Sequence, residues 1–262
     1  MIIKPKKSLG QNFLIDKKII QKIINTTDIK DKEILEIGPG SGNLTEYIIE
    51  KLPKNLHVVE KDDNLALLLK EKFKNKINII NQDILKICEK KISKDRLTVF
   101  GNLPYNISTE ILSKWIIGLD DVFWFDKLIL MFQKEVADRI IAKSNTANYG
   151  RLSILSNWKL KIDKIIDIKP QSFLPMPKID STLLVFYPKK NFIQLKNPKN
   201  LEMITRVFFS QRRKMLKKPF NKIFKDASNI SKKLNIDLNL RPQNLTNETY
   251  YSITKEFENL RS

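Results

Sequence analysis

The sequence predicts an α/β protein in which a mainly parallel sheet is followed by a smaller, wholly helical region. Short apolar runs typical of buried strands alternate with amphipathic stretches over residues 30–190, and such alternation is typical of a parallel sheet covered by helices. Beyond Pro188 the strand pattern ends, and helical spacing continues to the C-terminus. We therefore expect two domains, residues 1–190 and residues 191–262.

Each element of this pattern has its own signal. Five apolar runs predict buried parallel strands at residues 34–37, 56–59, 77–80, 97–100 and 128–132. Helical patterns follow them at residues 44–52, 64–73, 109–117 and 135–142. Two later segments, residues 162–168 and 182–187, flank a proline-containing stretch and predict an antiparallel addition to the sheet.

Composition excludes several classes of protein. The 262 residues are 42% hydrophobic, which suffices for a large core and argues against a disordered chain. A single cysteine, Cys88, and a single histidine, His57, exclude an internal disulfide and a two-histidine metal site. No run approaches the roughly 18 apolar residues of a membrane span, and residues 1–7 lack the apolar stretch typical of a signal peptide. These observations predict a cytoplasmic protein without a metal.

Basic residues outnumber acidic ones and concentrate near the C-terminus. The chain has 48 Lys and Arg against 29 Asp and Glu, a formal net charge of +19. Residues 191–262 hold 15 basic and 6 acidic side chains, and no acid lies between Met203 and Lys225. Because these cations lack acidic partners at helical spacing, they repel one another and favour an anionic partner. A polyphosphate chain would relieve this repulsion and release counterions on binding, and an anionic membrane surface is the competing partner.

A glycine-rich turn joins the first predicted strand to a helix. Residues 33–37 run directly into Gly38-Pro39-Gly40-Ser41-Gly42, the place where a doubly wound sheet binds a nucleotide-like ligand. The glycines let the backbone turn sharply beside the ligand, whereas Pro39 removes an N–H donor that a pyrophosphate would use. S-adenosylmethionine, which contains adenosine but no phosphate, therefore fits this turn better than a dinucleotide.

Two acidic residues support the same ligand. Glu60 ends the second strand, where a carboxylate can accept hydrogen bonds from both ribose hydroxyls. Asp83 follows the third strand and can accept a hydrogen bond from the exocyclic amine of the ligand. Each acid alone would be read as a helix cap or a loop charge, but their order after successive strands favours binding.

The fourth strand ends in a motif suited to methyl transfer onto an amine. Asn102-Leu103-Pro104-Tyr105 is placed where parallel strands bind ligands. The exocyclic amine of adenine is a poor nucleophile, and the Asn102 side-chain oxygen and a backbone carbonyl of Leu103 or Pro104 can accept its two N–H bonds. Tyr105 can stack on a base that has left its helix. Such chemistry relies on positioning and needs neither histidine nor cysteine.

These motifs together resemble the ribosomal RNA adenine N6-dimethyltransferase family over nearly the whole chain, and most closely its small-subunit branch. Residues 7–14 look like the N-terminal signature of that family, which implies that Asn12 and Leu14 touch the methyl donor. The segment Glu36-Ile37-Gly38-Pro39-Gly40 matches its remaining donor-binding positions, together with Glu60, Asp83 and Asn102. Residues 173–181 are similar to its Phe-x-Pro-x-Pro segment, which implies that Phe173 faces the target base opposite Tyr105.

The resemblance implies a Rossmann-like class I methyltransferase sheet with a small C-terminal all-helical domain. It further implies S-adenosylmethionine-dependent N6,N6-dimethylation of two adjacent adenines near the 3′ end of small-subunit ribosomal RNA during ribosome biogenesis. The partner would be that RNA or its precursor particle, with no membrane, and the absence of a sustained heptad favours a monomer. Residues 208–214 resemble a block of the small-subunit branch. With the charge pattern they predict an RNA-binding set: Arg212, Arg213, Lys214, Lys217 and Lys218.

Three alternatives stay open at this point. One is a Rossmann-like oxidoreductase or another nucleotide enzyme, and a second is a large-subunit RNA methyltransferase of the macrolide-resistance type. The third is a catalytically silent RNA-binding assembly factor with the same fold, against which the intact Asn102–Tyr105 motif argues. The sequence departs modestly from the family pattern at Lys61, Ser210 and Gln243, none of which removes a proposed chemical group.

Overall fold

The chain folds around a seven-stranded sheet. The computed structural model describes Lys6 and residues 10–119 and 122–261. The strands are β1 (Phe13–Leu14), β2 (Glu33–Ile37), β3 (Asn55–Val59), β4 (Asn78–Ile80), β5 (Leu97–Asn102), β6 (Phe125–Gln133), β7 (Leu160–Ile168), β8 (Phe173–Leu174) and β9 (Ser181–Pro188). The α-helices are α1 (Lys17–Ile24), α2 (Asn43–Glu50), α3 (Asp63–Phe73), α4 (Ser108–Ile117), α5 (Lys134–Ile140), α6 (Arg151–Lys159), α7 (Pro198–Phe209), α8 (Lys217–Ile223), α9 (Ala227–Lys233) and α10 (Asn247–Asn259).

The order of strands creates a ligand-binding edge. The large sheet has the order β4-β3-β2-β5-β6-β9-β7, and β1 pairs with β8 in a separate sheet. The strands from β4 to β6 pair in parallel, whereas β9 is antiparallel to β6. The strands β3 and β4 extend the sheet on one side of β2, and the next strand in the chain, β5, pairs with β2 on its other side. Open α/β sheets bind ligands at this kind of switch point, outside the carboxyl ends of the strands.

The predicted α/β class is confirmed, and so are the five parallel strands and the four helices expected between and after them. The antiparallel addition is also confirmed, because β9 pairs antiparallel with β6 and has β7 as its other neighbour. These strands could be predicted because a strand buried on both faces has a continuous apolar run. Every residue of β2 is buried, as expected for the centre of a parallel sheet.

Some elements are absent from the sequence predictions. Helix α1 has a usable signal, since Asp16 caps its N-terminus and the buried residues Ile20, Ile23 and Ile24 recur at helical spacing. The strands β1 and β8 have two residues each, which is too short for a periodic pattern. Only pairing between residues far apart in the chain reveals them.

The chain forms two compact units. The first takes segments 1–112, 119–137 and 161–188, and the second takes segments 113–118, 138–160 and 189–262. In the second unit, Phe208 contacts Phe220 and Tyr250 edge-on, with ring centroids 5.4 and 5.5 Å apart. Because segments before residue 190 also belong to the second unit, the division into functional domains at residue 190 stays a prediction.

Strand β2 carries a carboxyl group into the core of the first unit. The side chain of Glu36 is buried, and Thr45 Oγ1 on α2 donates a hydrogen bond to Glu36 Oε2 at 2.7 Å. Burial disfavours the ionised form and raises the pKa of Glu36 to about 8, although the hydrogen bond from Thr45 opposes this shift. The nearby Glu60 carboxylate raises that pKa further. Glu36 is therefore mostly protonated in the folded chain at neutral pH.

We predict that Glu36 makes the free energy of unfolding fall as the pH rises from about 4.5 to about 8. The unfolded chain loses the Glu36 proton near the ordinary pKa of 4.5, whereas the folded chain keeps it until about 8. In this window the unfolded state binds fewer protons, so stability falls with pH. Glu36→Gln, which has no proton to lose, should remove a contribution on the order of a few kcal/mol, measured by urea unfolding at several pH values.

A matched control is Glu50→Gln, because Glu50 is exposed at the end of α2. Its unfolding curves should keep the pH dependence of the wild type. If Glu36→Gln and wild type lose stability in parallel as the pH rises, the buried acid does not titrate as stated.

Candidate active site

One cavity in the first unit lies where β2, β3, β4 and β5 end. It brings together residues that are distant in sequence, because the carboxyl ends of parallel strands share one edge of the sheet. All the predicted donor-binding and catalytic residues except Phe173 line it: Asn12, Leu14, Gly38, Gly40, Glu60, Asp83, Asn102, Leu103, Pro104 and Tyr105.

The glycine turn after β2 has a conformation that requires glycine. Gly38 and Gly40 have φ angles of +64° and +58°, a region that residues with a Cβ rarely adopt. A Cβ on Gly40 would lie 2.5 Å from Cδ1 of Phe13. The turn is therefore shaped both by its own backbone and by the close approach of β1.

Glu60 holds the glycine turn and also faces the cavity. Its Oε2 accepts a hydrogen bond from the Gly40 N–H at 3.3 Å, and its Oε1 accepts one from the Asp62 N–H at 2.9 Å. Burial raises the pKa of Glu60, and these backbone donors oppose that shift. A carboxylate oxygen can accept two hydrogen bonds, so Glu60 retains acceptor capacity for the two hydroxyls of a ribose.

Asp83 is held by a residue that departs from the family pattern. Lys61 Nζ lies 2.8 Å from Asp83 Oδ2, and the Leu85 N–H donates to Asp83 Oδ1 at 3.0 Å. The hydrogen bond from Lys61 lowers the pKa of Asp83, with a further contribution from Leu85. Asp83 is therefore an ionised acceptor at neutral pH, as a contact with an exocyclic amine requires.

The side-chain amide of Asn102 has a fixed orientation. Its Nδ2 donates to the backbone carbonyl of Asn12 at 2.7 Å. A carbonyl only accepts hydrogen bonds, so the amide must direct its NH₂ group toward Asn12 and leave Oδ1 on the other side. Within the described part of the chain, no hydrogen bond to Asn102 Oδ1 is found. The oxygen is therefore available as an acceptor in the cavity.

We call residues 10–14 the strap, because they pass over the glycine turn and are held from several sides. Asn43 Nδ2 donates to the Leu14 carbonyl at 2.8 Å, and Gln11 Nε2 donates to Asp62 Oδ2 at 3.2 Å. Strand β1 of the strap pairs with β8. The strap thus links the donor-binding turn to the Asn102 amide.

Tyr105 lines the cavity and is fixed at both ends. Its hydroxyl lies 2.5 Å from Ser181 Oγ, and the Ser108 hydroxyl donates to its backbone carbonyl at 3.2 Å. Burial raises the pKa of the Tyr105 phenol, so it stays neutral at physiological pH. A neutral, half-exposed ring at this place suits stacking on a base.

The structure does not bring Phe173 into the cavity lining. Its ring is 2% exposed and packs in the same apolar cluster as Leu14 and Ile168. Successive side chains of a strand point to opposite faces, so β8 buries Phe173 and exposes Leu174. A stacking contact between Phe173 and a base requires the ring to leave this core, and that contact stays a prediction.

Sequence reasoning missed other residues of the cavity. Glu36 is not one of them, because the family resemblance already includes it in the donor-binding segment, and a charged residue within a buried strand is retained where it has a partner. Asn43, at the start of α2, has no local signal for its contact with the strap. The contact between Tyr105 and Ser181 joins residues 76 positions apart, which no local pattern can predict.

The predicted RNA-binding residues lie in the second unit and differ in exposure. Arg213, Lys214, Lys217 and Lys218 are exposed. Arg212 is half-buried, and its Nη2 donates to the Thr146 carbonyl at 3.1 Å. Arg212 thus contributes to the packing of the second unit, whereas the other four cations are accessible to a partner.

Two general properties bear on the function. No helix in the described ranges is long and apolar enough to cross a membrane. Among the residues that the structure describes, no group of three or more His, Cys, Asp or Glu side chains is arranged to hold a metal ion.

Comparisons with known proteins identify the family of this chain. The model of a family described as Ribosomal RNA adenine dimethylase matches residues 2–259. The chain is 67% identical over 261 residues to Ribosomal RNA small subunit methyltransferase A of Pelagibacter ubique (strain HTCC1062), with 100% of both chains covered.

Solved structures extend the comparison to the fold. A dimethyladenosine transferase from Plasmodium falciparum is 26% identical with a TM-score of 0.77, over 94% of this chain and 98% of that chain. The 23S rRNA methyltransferase ErmE is 21% identical with a TM-score of 0.68, over 96% and 100%, and supports the fold alone. The predicted methyltransferase fold and the family resemblance are confirmed: the chain belongs to the ribosomal RNA adenine dimethylase family.

Proposed function

We propose that this protein transfers methyl groups from S-adenosylmethionine to N6 of two adjacent adenines near the 3′ end of small-subunit ribosomal RNA. The observation that carries the proposal is the meeting of the Asn102–Tyr105 motif with the glycine turn, Glu60 and Asp83 in one cavity. The small-subunit substrate is supported by the 67% identical relative, whose name specifies that subunit.

The residues of the cavity fit the donor. Glu60 offers acceptor positions for the ribose hydroxyls, and Asp83 offers an acceptor for the exocyclic amine of the adenosine. The positive φ angles of Gly38 and Gly40 shape the turn beside the ligand, and the missing Cβ of Gly40 leaves room for Phe13 of the strap. When bound, S-adenosylmethionine supplies a methyl group on a sulfonium, which leaves as a neutral thioether.

The chain then orients the target amine. Asn102 Oδ1 accepts one N–H bond of the adenine amine, and a backbone carbonyl accepts the other. Pro104 O already accepts a hydrogen bond from the Ile107 N–H at 3.1 Å, which makes the Leu103 carbonyl the better acceptor. With both N–H bonds held, the nitrogen lone pair is freed from the ring and faces the methyl carbon. The N–C bond forms as the S–C bond breaks, and the amine proton passes to water.

The decisive experiment is transfer of tritium from labelled S-adenosylmethionine to unmodified small-subunit particles. Label in N6,N6-dimethyladenine near the 3′ end of the small-subunit RNA is expected. Transfer to large-subunit RNA instead would assign the macrolide-resistance activity. RNA binding without transfer to either particle would assign a silent assembly factor.

Asn102→Ala should abolish methyl transfer while the dissociation constant of S-adenosylhomocysteine changes by less than roughly tenfold, since the amide acts on the amine rather than on the donor. Asn102→Asp should fail as well, because it has no NH₂ group to donate to the Asn12 carbonyl. Single-turnover transfer and calorimetric titration measure the two effects. A fully active Asn102→Ala variant contradicts the positioning of the amine.

Gly40→Ala should weaken binding of S-adenosylhomocysteine by at least about tenfold, because the new Cβ strains the turn and displaces Phe13 of the strap. The control is Gly150→Ala, whose Cβ would meet the Phe209 ring at an ordinary 3.8 Å. Calorimetry compares the two variants with wild type. Unchanged affinity in Gly40→Ala would mean that the donor does not occupy this turn.

Replacement of Arg213, Lys214, Lys217 and Lys218 by Ala should weaken RNA binding and reduce its salt dependence, by about 0.7–0.9 of a log–log unit for each phosphate that the variant no longer neutralises. Arg212 is left intact because it bonds the Thr146 carbonyl. A control with the same change of charge replaces the exposed Lys17, Lys18, Lys22 and Lys30. Filter binding over a range of salt concentrations gives the slope of log affinity against log salt for each variant. Equal slopes in the two variants would mean that RNA does not contact these four residues.

A further inference from the structure

Residues 175–180 join β8 to β9, and both ends of this segment lie near the active site. It leaves β8, whose partner β1 belongs to the strap, and it ends at Ser181, the first residue of β9. The Ser181 side chain is fully buried, and Ser181 pairs with Gln133 of β6 in the antiparallel register. The Asp180 carbonyl before it accepts a hydrogen bond from the Lys134 N–H at 2.9 Å. Ser181 is therefore a fixed point of the sheet.

Ser181 contacts the aromatic ring that lines the cavity. Its Oγ lies 2.5 Å from the Tyr105 hydroxyl, at the end of the ring opposite to the backbone. The loop that carries Tyr105 lies between β5 and α4 and has no strand or helix pairing of its own. The hydroxyl of a tyrosine lies on the long axis of its ring, so a hydrogen bond at the hydroxyl fixes the direction in which the ring extends from the backbone.

We infer that Ser181 is a positioning residue for the reaction: its hydroxyl holds the Tyr105 ring in the position at which the target adenine stacks. The inference rests on the proposed function and adds a residue that does not itself touch the reacting atoms. Stacking fixes the plane of the adenine, and that plane decides whether the N6 lone pair is aligned with the methyl carbon. A ring released from Ser181 still contacts the base but presents it at variable angles.

Kinetics of four variants test the inference. Ser181→Ala should lower kcat about ten- to a hundredfold, because a misplacement of about 1 Å has effects of this size. The dissociation constant of S-adenosylhomocysteine should stay within about twofold, since Ser181 lies outside the cavity lining.

Tyr105→Phe, which keeps the ring and loses the hydroxyl, should show the same loss of kcat. The double variant should lose no more than either single variant, and Ser181→Thr should restore most of kcat because it keeps the hydroxyl.

Thr182→Val provides a control for the loss of a buried hydroxyl. Thr182 is the next residue of β9, is equally buried, and donates to Asp167 Oδ1 at 2.7 Å rather than to Tyr105. This variant should lose thermal stability but keep the wild-type kcat on small-subunit particles. A purely structural role for Ser181 would give both variants the same profile and would overturn the inference.

The remaining outcomes are also distinct. Wild-type kcat in Ser181→Ala overturns the inference, and so do losses that multiply in the double variant, because independent residues would then be involved. If the wild-type protein itself transfers no methyl group to the particles, the proposed function fails rather than the role of Ser181.

Discussion

The hydrogen bond from Asn102 Nδ2 to the Asn12 carbonyl is the interaction on which the active site depends. An amide side chain can be turned by half a rotation at little steric cost, so its shape alone does not decide which end faces a substrate. A carbonyl partner decides it, because a carbonyl accepts and never donates. The oxygen of Asn102 is thereby assigned to the cavity before any substrate arrives, which is the sense in which the site is preorganised.

Under the proposed function, this interaction makes the strap part of the catalytic site. The strap supplies the carbonyl for Asn102, packs Phe13 against the glycine turn and is held through Leu14 by Asn43. One short segment thus contacts the turn for the donor and the amide for the acceptor. A displacement of the strap would therefore move groups on both sides of the cavity.

The charges of the two units serve different purposes. In the first unit, Glu60 and Asp83 follow the ends of strands and line the cavity, where the proposed function assigns their oxygens to an uncharged sugar and an amine. In the second unit, exposed cations without nearby acids in the sequence suit the phosphates of an RNA backbone. A sheet edge that holds a small ligand and a basic helical surface suit an enzyme whose substrate is a large polyanion.

The sequence by itself determined the α/β class, the parallel strands and the positions at which Gly40, Glu60, Asp83 and Asn102 follow them. It did so because burial on both faces imposes continuous apolar runs, and the carboxyl ends of parallel strands meet at one edge. Only the tertiary structure decided the orientation of the Asn102 amide, the burial of Phe173, the internal hydrogen bond of Arg212 and the contact between Tyr105 and Ser181. The three hydrogen bonds join residues that are tens of positions apart, and the burial of Phe173 depends on which face of a two-residue strand turns inward. Neither kind of feature produces a periodic pattern in the sequence.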